Sequence, residues 1–412
     1  MGDLQHQLDA LRRKMARIDK KYQSPAPAPE RKPARLFIEE WMSGQMVETP
    51  YGVHFETEKV WERHRRHGSF DISNLAELPE DLLGPLSGSA IGRVPPTRWA
   101  FLDTETTGLA GGTGTYAFLV GVGRVTPEGF RLRQFFMRDY GEESSLLWAL
   151  ARHLEEFSVL VTYNGKAYDQ PLLETRFRIA RQTPPFPRLA HLDLLFGARR
   201  LWKLRVESCR LVDLENQILG VEREGDLPGE MIPYVYFEYL RTKEAFRVVP
   251  IFHHNAIDIL SLACLTGIVP FAFRSPGEAP LVHGADLVGL SRWFLSSGGR
   301  EQALELMRRA IEMGLPDDLL FRTLWDSAML EKRLGHSAAA LEVFTDLASG
   351  RNPYRAAALE ELAKHYEHRE RDYSRALELV RRAIAVADSV ALRQREARLE
   401  RRLSKPRSQR LL

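Results

Sequence analysis

Leu4, Leu8, Leu11, Met15, Ile18 and Tyr22 recur at alternating steps of four and three, the a/d stripe of a heptad repeat. The spacing predicts a helix over 1–23. Three heptads are marginal for an isolated coiled coil, so the stripe calls for a second copy or a groove to cover it. Ser24-Pro25-Ala26-Pro27-Ala28-Pro29 and then Pro33 cannot continue a helix and predict an extended linker over 24–35, with an N-terminal extension over 36–94 behind it. From about Arg98 the pattern alternates between periods. Trp99–Leu102, Tyr116–Val125 and Phe130–Met137 read as three strands, the last two joined by a Pro127-Glu128-Gly129 turn. Leu147, Leu150, Leu154 and Phe157 then fall at helical spacing, followed by a strand over Val159–Tyr163 and a helix through Leu172, Leu173, Arg176 and Phe177. The prediction is an α/β domain over 95–275, a mixed sheet flanked by helices.

Residues 283–390 have a different texture, helical and rich in alanine and leucine. Ala303-Leu304-Glu305, Ala340-Leu341-Glu342 and Ala376-Leu377-Glu378 echo one another at spacings of 37 and 36 residues, slightly longer than the roughly 34 of tetratricopeptide helical hairpins. An all-α, tetratricopeptide-like domain is expected here. Stacked hairpins make a curved surface suited to a protein partner.

Composition narrows the class. Of 412 residues, 44% are hydrophobic and 27% charged, the balance of a globular protein. No apolar run in the sequence approaches the roughly 20 residues that span a bilayer, and the N-terminus has no apolar signal segment, so no membrane association and a cytoplasmic location are expected. Cys209 and Cys264 are the two cysteines; without a CxxC pair they offer neither a disulfide framework nor a zinc site. The net charge is only +3, but the tail over 391–412 carries seven arginines and Lys405 against Glu396 and Glu400, a patch able to bind phosphate backbones by counterion release.

The chemistry concentrates in three short segments. Asp103 and Glu105 stand two apart at the end of the first strand, so both point to one side of the sheet. The apolar Ala100-Phe101-Leu102 before them makes that strand central, where uncompensated carboxylates are costly and cations are the natural partners. Tyr163-Asn164-Gly165-Lys166-Ala167-Tyr168-Asp169 places a tight turn before a helix that starts near Asp169. His253-His254-Asn255-Ala256-Ile257-Asp258 opens an apolar helix, on which His254 and Asp258 share a face and His253 lies well round from it. A histidine here could take a proton from an attacking water. Thr106 and Asn164 are candidate substrate contacts. The glycine-rich stretch 108–114 lacks the Lys-Ser or Lys-Thr of a phosphate loop and reads as a loop beside the site. His191-Leu192-Asp193 reads as a buried cap, and Arg199, Arg200, Trp202, Lys203, Arg205 and Arg210 mix basic and aromatic groups as a single-strand-binding face or an amphipathic helix would.

Taken in order, Asp-Thr-Glu-Thr-Thr-Gly, Tyr-Asn-Gly-Lys-Ala-Tyr-Asp and His-His-Asn-Ala-Ile-Asp resemble the three exonuclease motifs of the DEDD superfamily, 3′ to 5′ exonucleases of RNase H-like fold. Within it the chain resembles YprB-type proteins, in which such a domain precedes tetratricopeptide repeats. The resemblance implies that Asp103, Glu105, Asp169 and Asp258 hold two Mg²⁺ or Mn²⁺ ions, oxygen ligands suiting these hard cations. It implies a DNA or RNA substrate. The family's general base is a Tyr or His; His254 has the four-before spacing of the Tyr form and His253 the five-before spacing of the His form. A structure-selective endonuclease on the same fold, or a repeat scaffold with a relic nuclease domain, are the other readings, and self-association through the N-terminal helix is a further expectation.

Overall fold

The computed structural model describes residues 38–87, 91–108, 114–279 and 281–404, together with Arg13 and Ala16. The heptad helix apart from those two residues, the proline-rich linker, residues 109–113 of the glycine-rich loop and the tail beyond Ser404 lie outside the described residues. The chain divides into two compact units, one comprising residues 1–199 and 206–279, the other 200–205 and 280–412.

In the first unit seven strands form one mixed sheet: β1 (Gln45–Thr49), β2 (Gly52–Glu62), β3 (Trp99–Thr106), β4 (Ala117–Thr126), β5 (Gly129–Phe136), β6 (Val159–Thr162) and β7 (Ala190–Asp193). Their order across the sheet is β1-β2-β5-β4-β3-β6-β7. The meander β3-β4-β5 is antiparallel, as its hairpin turn dictates, and β6 and β7 add in parallel beyond β3. Parallel neighbours need crossovers, and the chain supplies them as the helices α1 (Glu143–Leu154) and α2 (Asp169–Ile179). The longer remaining helices of this part of the chain are α3 (Leu194–Trp202), α4 (Ile232–Thr242) and α5 (Val249–Arg274), with short helical turns at Ser73–Ala76, Leu211–Leu214 and Glu215–Leu219.

Three strands depart from the sequence reading. The segment set apart as an N-terminal extension contributes β1 and β2, and β2 pairs along its length with β5, from Phe55 opposite Phe136 to Glu62 opposite Gly129. Its buried stretch is His54-Phe55-Glu56-Thr57, polar residues within a strand, so no apolar alternation betrays it. His54 and Glu56 are satisfied by each other and by Ser145 and Arg133. The other strand is β7, where His191-Leu192-Asp193 reads as a loop because four residues are too few to show a period.

Helix α5 corrects the expectation about apolar runs. It lies within a helical stretch, 245–274, that is long and apolar enough by length and composition to cross a membrane, with mean hydropathy 2.0, yet 72% of that window is buried inside the fold. It is a core helix, packed over β3 and β4, and it carries His254, Asn255 and Asp258 within it. Glycines make that packing possible. A Cβ at Gly121 of β4 would lie 2.3 Å from Asn255 Oδ1 and 2.3 Å from Ile259 Cδ1, and one at Gly123 would lie 2.6 Å from Ile259 Cγ2. Cys264, buried in the same helix, is a free thiol, as is Cys209.

In the second unit, the described residues form helices α6 (Gly284–Ser296), α7 (Arg300–Glu312), α8 (Asp317–Leu334), α9 (Ser337–Ser349), α10 (Arg355–His365), α11 (Tyr373–Val386) and α12 (Val390–Ser404). The three Ala-Leu-Glu echoes fall on alternate helices α7, α9 and α11, and their alanines are all buried. Small residues at these positions let each helix approach its neighbour closely.

Candidate active site

Asp103 and Glu105 both face α5, as strand alternation requires. Asn255 Nδ2 donates to Asp103 Oδ2 at 2.9 Å and, at 3.3 Å, to the Asp103 carbonyl. The Asn255 amide is in turn oriented by Gln134 of β5, whose Nε2 donates to Asn255 Oδ1 at 2.9 Å and to the Phe252 carbonyl at 2.9 Å. Burial, with the charges of Asp258 and Asp169, holds Asp103 well above the ordinary carboxylate range despite the Asn255 hydrogen bond. Glu105 is 9% exposed and has no hydrogen-bond or ion-pair partner among the described residues. Burial, then Asp103, Asp258 and Asp169, push it up as well.

Asp169 is the first residue of α2 and is buried. Thr104 Oγ1, from the opposite side of β3, donates to Asp169 Oδ1 at 2.5 Å, while burial pushes the carboxyl up to about 6. The approach depends on the turn after β6. Asn164 adopts a left-handed backbone with φ of 66°, and the amides of Asn164 and Lys166 donate to the two oxygens of Asp193 at 2.8 and 3.1 Å. Asp193 also accepts from the Leu195 amide at 3.1 Å, so this buried carboxylate ties down two turns, the capping role its surroundings suggested. Asn164 further lines a cavity of about 330 Å³ with Tyr163, Arg199, Ser208 and Arg210, which places two bases of the mixed basic and aromatic segment beside the second motif. Thr106 turns its hydroxyl to the Gly108 carbonyl at 2.9 Å and serves the loop.

The third motif brings one histidine to the carboxylates. Donor atoms of Glu105, His254 and Asp258 all lie within 4.8 Å of one another, and His254 Nε2 is 3.6 Å from Asp258 Oδ2. His253 is exposed, and burial of part of its ring lowers its pKa. His254 Nδ1 donates to Asp226 Oδ2 at 2.7 Å; burial opposes charging of this ring, but Asp226 and Asp258 together outweigh it and raise its pKa.

A loop between α3 and α4 completes the site. Arg223 pairs with Asp258, donates to Glu215 through Nε at 2.5 Å and reaches Asp226 at 3.0 Å. Glu215 is fully buried, so this is an enclosed ion-pair network. Arg223, Asp226 and Asn255 have no clear sequence signal. Glu222-Arg223-Glu224-Gly225-Asp226 has the composition of a solvated loop, and Asn255 stands between more conspicuous histidines and Asp258.

The donor set fits a divalent cation. Four carboxylates from three segments converge, Asp103 and Glu105 with pKa values held well above the usual range, and the buried Glu105 has no hydrogen-bond or ion-pair partner among the described residues. A cation would relieve that repulsion.

Comparison with known proteins places the site residues within a recognised domain. Residues 100–269 match the model of the RNase_H superfamily, a span that contains all four carboxylates and both histidines. The uncharacterized protein YprB of Bacillus subtilis (strain 168) is 32% identical over 385 residues, covering 89% of this chain and 91% of that protein. With a similarity that runs through both units, the chain belongs to the family of YprB, proteins with an RNase H superfamily domain.

Proposed function

We propose that the chain is a divalent-cation-dependent nuclease, acting as a 3′ to 5′ exonuclease of DEDD type, with tetratricopeptide-like repeats behind the catalytic domain. The observation that carries the reading is the meeting of Asp103, Glu105, Asp169 and Asp258 at one end of β3, with Glu105 buried and unpartnered among the described residues. Mg²⁺ or Mn²⁺ held there supplies activation of the attacking water and stabilisation of the leaving oxygen in phosphodiester hydrolysis. Asn255 keeps one oxygen of Asp103 occupied and its carboxylate turned inward. Thr104 does the same for Asp169. His254, the histidine at the carboxylates, is held at Nδ1 by Asp226 and offers Nε2 to the site. Arg199 and Arg210, with Asn164, give a DNA or RNA strand a basic wall to lie against.

The test is a digestion panel of end-labelled single-stranded and duplex DNA and RNA with Mg²⁺ or Mn²⁺, run beside Asp103→Asn. Stepwise release from free 3′ ends, lost in the variant, is expected. Cleavage that persists internally when the 3′ end is blocked would replace the exonuclease reading with the endonuclease one. Equal hydrolysis by wild type and Asp103→Asn would remove the site assignment.

A further inference from the structure

A histidine beside metal-binding carboxylates can take a proton from water or can bind the cation itself. The surroundings of His254 distinguish the two. Its Nδ1 is engaged with Asp226 at 2.7 Å, and the same Asp226 oxygen accepts from Arg223 at 3.0 Å. With the Nδ1 proton held by Asp226, Nε2 is the nitrogen left to face the site, where a cation would take the place of its proton. Nε2 lies 3.6 Å from Asp258 Oδ2, and one donor atom each of Glu105, His254 and Asp258 lie within 4.8 Å of one another, a spacing that fits around one ion with bonds of roughly 2.0–2.2 Å. A carboxylate behind a histidine whose other nitrogen faces oxygen donors is the usual outer arrangement of a metal-bound imidazole. Asp258 is set up in parallel: Arg223 engages Oδ1 and leaves Oδ2 on the His254 side.

We propose that His254 is a cation ligand through Nε2, with Glu105 and Asp258, that Asp226 and Arg223 are positioning residues for this ligand set, and that the site therefore prefers Mn²⁺ to Mg²⁺. The proposal rests on the nuclease reading above only for the presence of a cation. A nitrogen donor among oxygens favours the softer of the two ions, since Mg²⁺ keeps to oxygen ligands and retained waters whereas Mn²⁺, a transition-metal ion, also accepts imidazole nitrogen. Bound in this way, His254 has no nitrogen free for a water's proton.

The test uses Mn²⁺ alone with the full chain, without nucleic acid. Pulsed electron paramagnetic resonance of bound Mn²⁺ should show ¹⁴N modulation from a directly bound imidazole. The signal should persist in His253→Gln and vanish in His254→Gln. Titration calorimetry should show Mn²⁺ bound more tightly than Mg²⁺, with His254→Gln narrowing that ratio and Asp226→Asn weakening Mn²⁺ by about 10- to 100-fold. Mn²⁺ bound to wild type without ¹⁴N modulation overturns the proposal even if the variants fail to fold, and equal affinity for the two ions overturns the preference. Nuclease activity alongside either result leaves the nuclease reading standing. Failure of wild type to bind Mn²⁺ overturns both.

Discussion

Asn255 stands at the junction of two requirements. It donates to Asp103 and accepts from Gln134, so Asn255→Ala would leave a buried amide and a half-buried carboxylate each short of a partner. A loss of about 1–3 kcal/mol in urea unfolding is expected, together with a fall in cation-dependent hydrolysis; a variant with unchanged stability would show that the Gln134-Asn255-Asp103 chain carries little. Buried histidines make a separate statement about pH. His67, His153 and His191 are each lowered to about 4, first by burial and then by neighbouring positive charge. Unfolded, they take up protons near pH 6.5. The folded state resists this until about pH 4. The stability they contribute is therefore complete above pH 6.5 and falls as pH drops from there towards 4. His153 has no hydrogen-bond partner at either ring nitrogen, so His153→Leu should shrink the drop in urea midpoint between pH 7 and pH 5 without costing stability at pH 7. An unaltered drop would assign the effect elsewhere.

At the scale of elements, the seat of α5 on β4 is the feature on which the third motif depends. Asp258 reaches Glu105 because Gly121 and Gly123 leave no side chain between helix and sheet. Gly121→Ala should force α5 outward, costing about 1–3 kcal/mol and weakening Mn²⁺ binding, whereas Gly92→Ala, with nothing within 4 Å of the added carbon, should do neither. Equal behaviour of the two would mean that α5 accommodates the methyl. The sequence identified α5 as an apolar helix opening on His253 but not its seat, because a glycine in a strand looks only like weakened strand propensity until the helix opposite is known. The meander, α1, β6 and α2 were legible from periodicity. The short β7 and the polar β2 were not, since their burial comes from neighbours rather than from their own alternation.

For the molecule as a whole, 38–94 belongs with the sheet it edges. A chain starting at residue 95 would strip β2 from β5 and uncover Phe135 and Phe136, so lower solubility and a lower unfolding midpoint are expected than for the full chain; an equally stable, monodisperse product would show that β1 and β2 are dispensable.

By itself the sequence pointed to Asp103, Glu105, Asp169 and Asp258 as one candidate set, and determined the order of the sheet's central elements and a helical region behind them. These follow from local period and from residue types that only certain chemistry requires together. Helix spacing already set His254 on the face of Asp258; the tertiary structure alone decided that Arg223 and Asp226 stand behind Asp258 and His254, and that β2 joins the sheet. Those outcomes depend on what lies across the fold at contact distance, and a loop arginine or a polar strand carries no mark of its partner in its own stretch of chain.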